Sequence, residues 1–106
     1  MTALDPVIHA EARLRVIATL NSIGENNQIS FPKLRKLLDM TAGNLSTHLR
    51  KLEEAGYVRQ TKLIEGRSPA TYVEITARGR LAFLDYRENL KALLADSAIR
   101  PLKDPQ

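Results

Sequence analysis

The sequence predicts a mainly α-helical domain with one small β-hairpin, an α+β arrangement in the order helix, helix, helix, two strands, long helix. Apolar residues recur at helical spacing in four segments, and two extended segments joined by turn residues precede the last of them. With 106 residues, 43% of them hydrophobic, the chain is long enough for one domain with its own core and too short for two. We therefore expect a domain over residues 1–97 and a polar tail over residues 98–106.

The first helix is predicted to begin at Asp5, an N-cap residue, with Pro6 at the first helical position, where a missing N–H costs nothing. Its apolar positions continue at helical spacing to about Ser22. Gly24 and the polar residues after it should end the helix. Residues 28–29 could then form a short edge strand.

A second, short helix is expected after Ser30, a capping residue, with Pro32 in its first turn. Asp39 and the residue after it should make a tight turn. Thr41 then caps a third helix, predicted over residues 42–55, which a glycine ends. The apolar residues of the second helix form a narrow stripe, made of Phe31, Leu34, Leu37 and Leu38.

The third helix has an apolar and a polar side. Leu45, Leu49 and Leu52 fall within about 60° of arc on a helical wheel, so they should face the core. The opposite side, called the polar face below, comprises Gly43, Asn44, Thr47, Arg50, Lys51 and Glu54, with Ser46 and His48 at its flanks.

The polar face has the composition of a helix that enters a DNA groove. The residues of its first turns are short hydrogen-bonding types, which let a helix backbone approach base edges, whereas a solvated helix usually carries long Glu and Lys side chains. The acidic residues Glu53 and Glu54 lie at the far end. The preceding short helix and tight turn have the spacing of a helix-turn-helix. An ordinary solvated face is the alternative explanation.

Residues 57–63 and 71–75 are predicted to pair as a hairpin, because the EGRSP segment at 65–69 has turn chemistry. A loop with one glycine and one arginine at its tip suits insertion into a minor groove, where narrow A·T-rich segments concentrate negative potential. A solvent-exposed turn with incidental charge is the alternative. The positive charges on this hairpin are Lys62, Arg67 and, nearer its base, Arg59.

The last helix is predicted from a cap at Thr76 to about Ser97, with Gly79 permitting close packing near its start. Its large apolar residues cover more arc than a single core-facing stripe needs. Either the core contact is wide or one side packs on a partner chain, and we favour the second explanation. These residues are Leu81, Phe83, Leu84, Tyr86, Leu90, Leu93 and Leu94.

Composition excludes several classes of function. The formal net charge of +4 permits an anionic partner without requiring one. The absence of cysteine excludes disulfides, Cys-ligated zinc and a thiol switch. His9 and His48 are distant from each other and do not predict a metal site; we expect a partly buried structural role for His9 and a phosphate or base contact for His48. No catalytic triad, phosphate loop or carboxylate pair is recognisable, so we assign neither catalytic residues nor a cofactor.

The sequence also bears on location. No apolar run approaches the roughly 18 to 20 residues that a membrane span needs. The first residues lack the basic region and apolar stretch of a secretory signal. We therefore expect a cytoplasmic protein without a membrane partner.

Eight motifs along the chain resemble one known family: DPVIH at 5–9, RL at 13–14, FPKL at 31–34, GNLSTHLRKLEEAGYV at 43–58, Lys62, GRSP at 66–69, TY at 71–72 and TARGR at 76–80. With them the chain resembles the stand-alone winged-helix transcriptional regulators related to the MarR and ArsR families over about residues 4–95. That resemblance implies a winged-helix fold, double-stranded DNA as partner, and a homodimer formed through the first and last helices. By position, the recognition helix would be 42–55 in the major groove and the wing 62–71 at the minor groove. The cysteine motif of many ArsR-type metal sensors is absent, so metal sensing is not carried over.

Two classes of function stay open from the sequence. The first is a sequence-specific DNA-binding regulator, and a small-molecule effector between its dimer helices is neither indicated nor excluded. The second is a winged-helix protein-interaction module, which should show a large apolar patch in place of the polar face. RNA is disfavoured because a helix does not fit the deep, narrow major groove of A-form RNA. The DNA contacts expected for the first class are Thr41, Asn44, Ser46, Thr47, His48, Arg50, Lys51, Lys62 and, at the minor groove, Arg67.

Overall fold

Helices and a small sheet alternate along residues 3–95, the part of the chain that the computed structural model describes. The elements of this part are α1 (Glu11–Ser22), β1 (Ile29–Ser30), α2 (Phe31–Leu38), α3 (Ala42–Glu54), β2 (Val58–Glu65), β3 (Ser68–Ile75) and α4 (Ala77–Ala95). The three strands form an antiparallel sheet in the order β1-β3-β2. The predicted α+β class, with a long C-terminal helix, is confirmed. The predicted tail at 98–106 and the predicted helix end at Ser97 lie outside the described residues.

The predicted start of the first helix at Asp5 is wrong. The Asp5 carboxylate does accept the Val7 N–H at 2.8 Å, as an N-cap residue would. That contact closes a single turn, because the backbone is extended at Ala10 (φ −147°, ψ 130°) and α1 begins only at Glu11. The turn has a separate role in packing, since its Ile8 is fully buried in the core.

The segment α2–turn–α3 is built by local contacts that the sequence predicts. The Ser30 hydroxyl accepts the Lys33 N–H at 3.3 Å, and the Thr41 hydroxyl accepts the Asn44 N–H at 3.1 Å. Between the helices Asp39 adopts a left-handed conformation with φ 54°, which a short polar side chain tolerates. These two caps and one turn fix where α2 begins and ends and where α3 begins.

The core lies between the helices and one face of the sheet. Leu37 is the exception to the predicted stripe of α2, because its side chain is 59% exposed while Leu34 and Leu38 are buried. An eight-residue helix needs only one i, i+4 pair to reach the core, and Leu37 lies about 100° away from Leu38 on the helix surface. The buried residues of the cluster are Ile8, Val16, Ile17, Leu20, Ile29, Leu34, Leu38, Leu45, Leu49, Leu52, Val58, Val73, Ile75, Phe83 and Tyr86.

The hairpin has longer strands and a tighter tip than predicted. Its pairing runs from Val58 opposite Ile75 to Glu65 opposite Ser68, leaving a two-residue turn of Gly66 and Arg67. Gly66 has φ 64°, and the turns that join two strands through two residues need positive φ. The turn residues predicted at 65–69 therefore belong largely to the strands.

The start of α4 is joined to the end of α3 through Thr76. Its hydroxyl accepts the Gly79 N–H at 2.9 Å and donates to the Gly56 carbonyl at 2.6 Å, while its N–H donates to the Tyr57 carbonyl at 3.0 Å. A Cβ on Gly79 would overlap the Tyr57 carbonyl group. The predicted cap and the predicted close approach at Gly79 are both confirmed.

Candidate nucleic-acid interface

The polar face of α3 is free of covering structure in residues 3–95. Leu45, Leu49 and Leu52 are fully buried beneath it. Thr41 at the helix start is exposed. Seven further predicted contact residues on the helix and the hairpin are exposed too, namely Asn44, Ser46, Thr47, Arg50, Lys51, Lys62 and Arg67. The structure therefore presents the residues of α3 as one continuous surface, with the hairpin cations beside it on a projecting element.

Two hydroxyls of this surface have local partners. Thr41 is engaged as the cap of α3, and the Thr47 hydroxyl donates to the Gly43 carbonyl at 3.0 Å. A hydroxyl oxygen that donates to its own helix still has acceptor lone pairs for an external donor. These bonds fix the orientation of both side chains relative to the helix axis.

His48 is less accessible than the sequence predicted. Its ring is half-buried, and Nδ1 is enclosed without a hydrogen-bond partner among the described residues. Burial, together with the positive charges of Arg13 on α1 and Lys51, holds the pKa of His48 below its usual value of 6.5. The imidazole is therefore neutral at pH 7, and a contact from His48 to DNA stays a prediction.

The cations of α3 and of the hairpin tip are separate from the ion pairs that residues 3–95 contain. Those pairs are Arg59–Glu74 at 3.3 Å, Arg80–Glu25 at 3.2 Å and Lys91–Glu88 at 3.7 Å. Arg59, at the hairpin base, is thus compensated by a neighbouring carboxylate. Arg50, Lys51, Lys62 and Arg67 are outside these pairs, so their charge is directed at solvent or at an external anion.

Glu53 has a structural role that the sequence pattern did not reveal. Its carboxylate accepts the Gln60 N–H at 3.3 Å and the Gln60 side-chain amide at 3.0 Å. The bond ties the last turn of α3 to the first strand of the hairpin. The relative position of the helix and the hairpin is consequently set by direct contact. Glu53 and Gln60 are seven residues apart and the chain reverses direction between them, so no sequence pattern predicts the contact.

Two arginines hold the turn between α2 and α3, a role that the sequence analysis did not predict. Arg15 of α1 donates to the Leu38 carbonyl at 2.7 Å, and Arg35 donates to the Met40 carbonyl at 3.1 Å. The Leu38 carbonyl is the last of α2 and needs such a donor, and the Met40 carbonyl lies in the turn that follows. Arg35 could have been anticipated from its place in the last turn of α2, whereas the contact of Arg15 depends on tertiary packing.

Several large apolar side chains of α4 are exposed. Phe83 and Tyr86 are buried against the domain, and Leu90 is partly buried. Four leucines have between 49% and 65% of each side chain exposed, namely Leu81, Leu84, Leu93 and Leu94. Helical spacing puts Leu81 and Leu84 on the side opposite the buried residues, whereas Leu93 and Leu94 follow on the buried side in the last turns. This distribution fits the predicted second contact surface better than a wide core contact.

His9 is more exposed than predicted, yet it has a structural contact, because its Nδ1 lies 2.8 Å from the Tyr86 hydroxyl. Over residues 3–95, no three side chains of His, Asp or Glu type are close enough together to hold a metal ion. In the same part of the chain, no helix combines the length and apolarity that crossing a bilayer requires.

The fold and the capped helix pair define a winged helix-turn-helix domain. The family model of the winged helix DNA-binding domain matches residues 12–94, and the chain belongs to this family. The family and the fold are those of transcriptional regulators rather than enzymes.

Individual relatives agree with this assignment. An uncharacterized protein of Methanocaldococcus jannaschii is 37% identical over 81 residues, which cover 76% of this chain and 84% of the relative. The solved structure of a transcriptional regulator homologue from Pyrococcus horikoshii is similar with a TM-score of 0.75 and 34% identity, covering 83% of this chain and 84% of the other. A MarR-family regulator from Silicibacter pomeroyi shares the fold, with a TM-score of 0.60, 18% identity and coverage of 91% of this chain and 66% of the other.

Proposed function

We propose that the chain is a sequence-specific regulator of transcription that binds double-stranded DNA as a homodimer. In this proposal α3 enters the major groove and the wing, residues 62–71, contacts the adjacent minor groove. Membership of the winged helix DNA-binding domain family supports DNA as the partner. A location with the DNA, in the cytoplasm, follows from the proposal.

The observation that carries the proposal is the uncovered polar face of α3. Its exposed side chains are short donors and acceptors in the first turns and cations in the middle turns. Asn44 is suited to a bidentate contact with an adenine edge, and Arg50 and Lys51 are suited to phosphates or guanine. The large exposed apolar residues of the described part lie on α2, the wing and α4, and none lies on α3, which argues against a protein partner at this face.

The direct test is selection of bound sites from a random duplex library at fixed salt, followed by titrations of the selected duplex. Asn44→Ala should relax the preference at one base pair and cost about 1–3 kcal/mol. Lys51→Ala and Arg67→Ala should weaken binding to all sequences and lower the salt slope by about one unit for each phosphate that is no longer neutralised.

A matched control is Lys91→Ala, which removes the same charge from α4, far along the chain from the polar face. It should leave the binding curve and its salt slope unchanged. Unchanged binding in Asn44→Ala, Lys51→Ala and Arg67→Ala alike would contradict the assignment of the interface.

The homodimer is supported by the exposed leucines of α4. Exposed apolar side chains on a small domain favour association with another protein surface, and a second copy presents the same residues. Two domains in a dimer would place their recognition helices about 34 Å apart, one turn of DNA, which predicts an inverted-repeat site.

Sedimentation tests the dimer directly. Leu84→Glu and Leu93→Glu should shift the wild-type dimer to a monomer, whereas Leu37→Glu, at a similarly exposed leucine on α2, should leave it a dimer. Helical circular dichroism should be the same in all three variants. A wild-type protein that sediments as a monomer at high micromolar concentration would remove the homodimer from the proposal.

A further inference from the structure

The tip of the wing carries an exposed apolar side chain that the proposed contacts do not use. Ile64 is 72% exposed, the highest value among the large hydrophobic residues of the described part of the chain. It lies opposite Pro69 in the hairpin, one pair away from the strand ends at Glu65 and Ser68. An isoleucine at this place adds nothing to the core and is available for contact with an external partner.

Strand alternation shows on which side of the wing Ile64 lies. Val58 is buried against the domain, and residues at even spacing from it along β2 share its side of the sheet. Lys62 and Ile64 therefore lie on the side of the sheet that faces the helices, together with Pro69 of β3. The neighbouring Leu63, 45% exposed and opposite Ala70, lies on the other side.

The chemistry around Ile64 matches a minor groove. Lys62 precedes it by two residues on the same side, and Arg67 follows it in the turn, so the apolar side chain stands between two cations. A minor groove offers the complementary pattern, with phosphates along both walls and apolar sugar and base edges between them. Side chains such as isoleucine and proline act there as wedges that partly unstack a base step and bend the duplex.

We propose that Ile64, backed by Pro69, is a wedge that enters the minor groove and selects deformable base steps beside the major-groove site. This inference rests on the proposed function and adds to it a specificity that comes from the shape of the DNA. Pyrimidine–purine steps such as TA unstack easily, whereas A-tracts are stiff. The wing should therefore favour TA steps in the flank, although Arg67 alone would favour a narrow A-tract.

The experiment compares two versions of the selected duplex that differ only in the flank facing the wing, one with TA steps and one with an A-tract. Affinities are measured at fixed salt, and bending is measured by energy transfer between dyes at the duplex ends. Wild type should bind the TA flank more tightly by about tenfold, near the low end of what one base-pair preference is worth. It should also bend that duplex measurably.

Ile64→Ser should abolish the flank preference and reduce the bend, with the salt slope unchanged because the same phosphates stay neutralised. Leu63→Ser is the matched control on the opposite side of the same strand and should behave as wild type. Arg67→Ala should weaken binding to both flanks and lower the salt slope. Because residues 63 and 64 are exposed, both serine variants should melt within a few degrees of wild type.

Equal flank preference and bend in Ile64→Ser and wild type would overturn the wedge while leaving the proposed function intact. A change in sedimentation of Ile64→Ser would overturn it too, because the residue would then contact a second copy. If wild type binds neither duplex, nor any duplex from the library, the proposed function itself fails.

Discussion

Replacing Gly79 with alanine should destabilise the domain by about 2 kcal/mol, a value that combines two opposing effects. The third residue of α4 gains up to about 1 kcal/mol of helix propensity when glycine becomes alanine. Overpacking a tight contact costs about 1–3 kcal/mol, and the upper end applies here because the obstructing atoms belong to the Tyr57 carbonyl group. Backbone in a turn cannot rotate away as a side chain can.

Gly43→Ala is the matched control for this substitution. Gly43 also lies in the first turn of a helix, but no atom lies within 4 Å of its added Cβ. Only the propensity gain remains, so this variant should be more stable than wild type by up to about 1 kcal/mol. The two substitutions are chemically identical and should change stability in opposite directions.

Urea unfolding at one fixed protein concentration measures both effects, since the midpoint of the proposed dimer would depend on concentration. A decrease of about 2 kcal/mol in a domain of this size lowers the melting temperature by about 10 °C. The reasoning would be refuted if Gly79→Ala unfolds at the wild-type midpoint, because the close approach of α4 to Tyr57 would then not constrain the fold.

Three further predictions concern single side chains. Thr41→Ala should cost about 1 kcal/mol of stability, because it removes the cap of α3, whereas Thr41→Ser should retain it. Because the pKa of His48 is lowered in the folded protein, the unfolded chain binds more protons than the folded one below pH 6.5. Stability should therefore fall as the pH drops from 6.5 toward the pKa of His48 in the folded protein. His48→Gln should reduce that fall. Burial and the hydrogen bond to Asp5 raise the pKa of Tyr57 to about 12. The protonated phenol therefore stabilises the folded state below pH 10, and this stabilisation disappears as the pH rises toward 12. Tyr57→Phe should remove this dependence of stability on pH.

Denaturant unfolding across a range of pH values checks the two titration predictions. Wild type and His48→Gln share every other ionisable group, so only the difference between the two pH profiles reports on His48. Parallel profiles below pH 6.5 would contradict the enclosed position of the His48 ring. For Thr41, equal stability of the alanine and serine variants would show that the cap contributes nothing measurable.

The elements that could be predicted from sequence are those fixed by neighbouring residues. Ser30, Thr41 and Thr76 each cap a helix through a hydroxyl that accepts an N–H three residues later, and that pattern is visible in the chain. The polar face of α3 followed from helical spacing, because its three leucines are buried as predicted. Local chemistry was sufficient for these features.

Where the sequence failed, distant contacts decided the outcome. Asp5 caps a turn as its chemistry indicates, but the packing of Ile8 into the core ends that turn before α1 begins. The pKa of His48 is lowered by burial and by the charge of Arg13, which lies on another helix. The hairpin tip is tight because strand pairing continues to Glu65, a preference that turn composition alone does not reveal.

The bonds of Thr76 tie the residues that follow the third helix to the start of the fourth. The Thr76 hydroxyl donates to the Gly56 carbonyl, just after the helix proposed to contact bases, and also caps the helix proposed to join two copies. A signal acting on the joined helices would therefore rotate each domain as a rigid body. Control of such a regulator would come through the distance and angle between its two halves, with the shape of each half preserved.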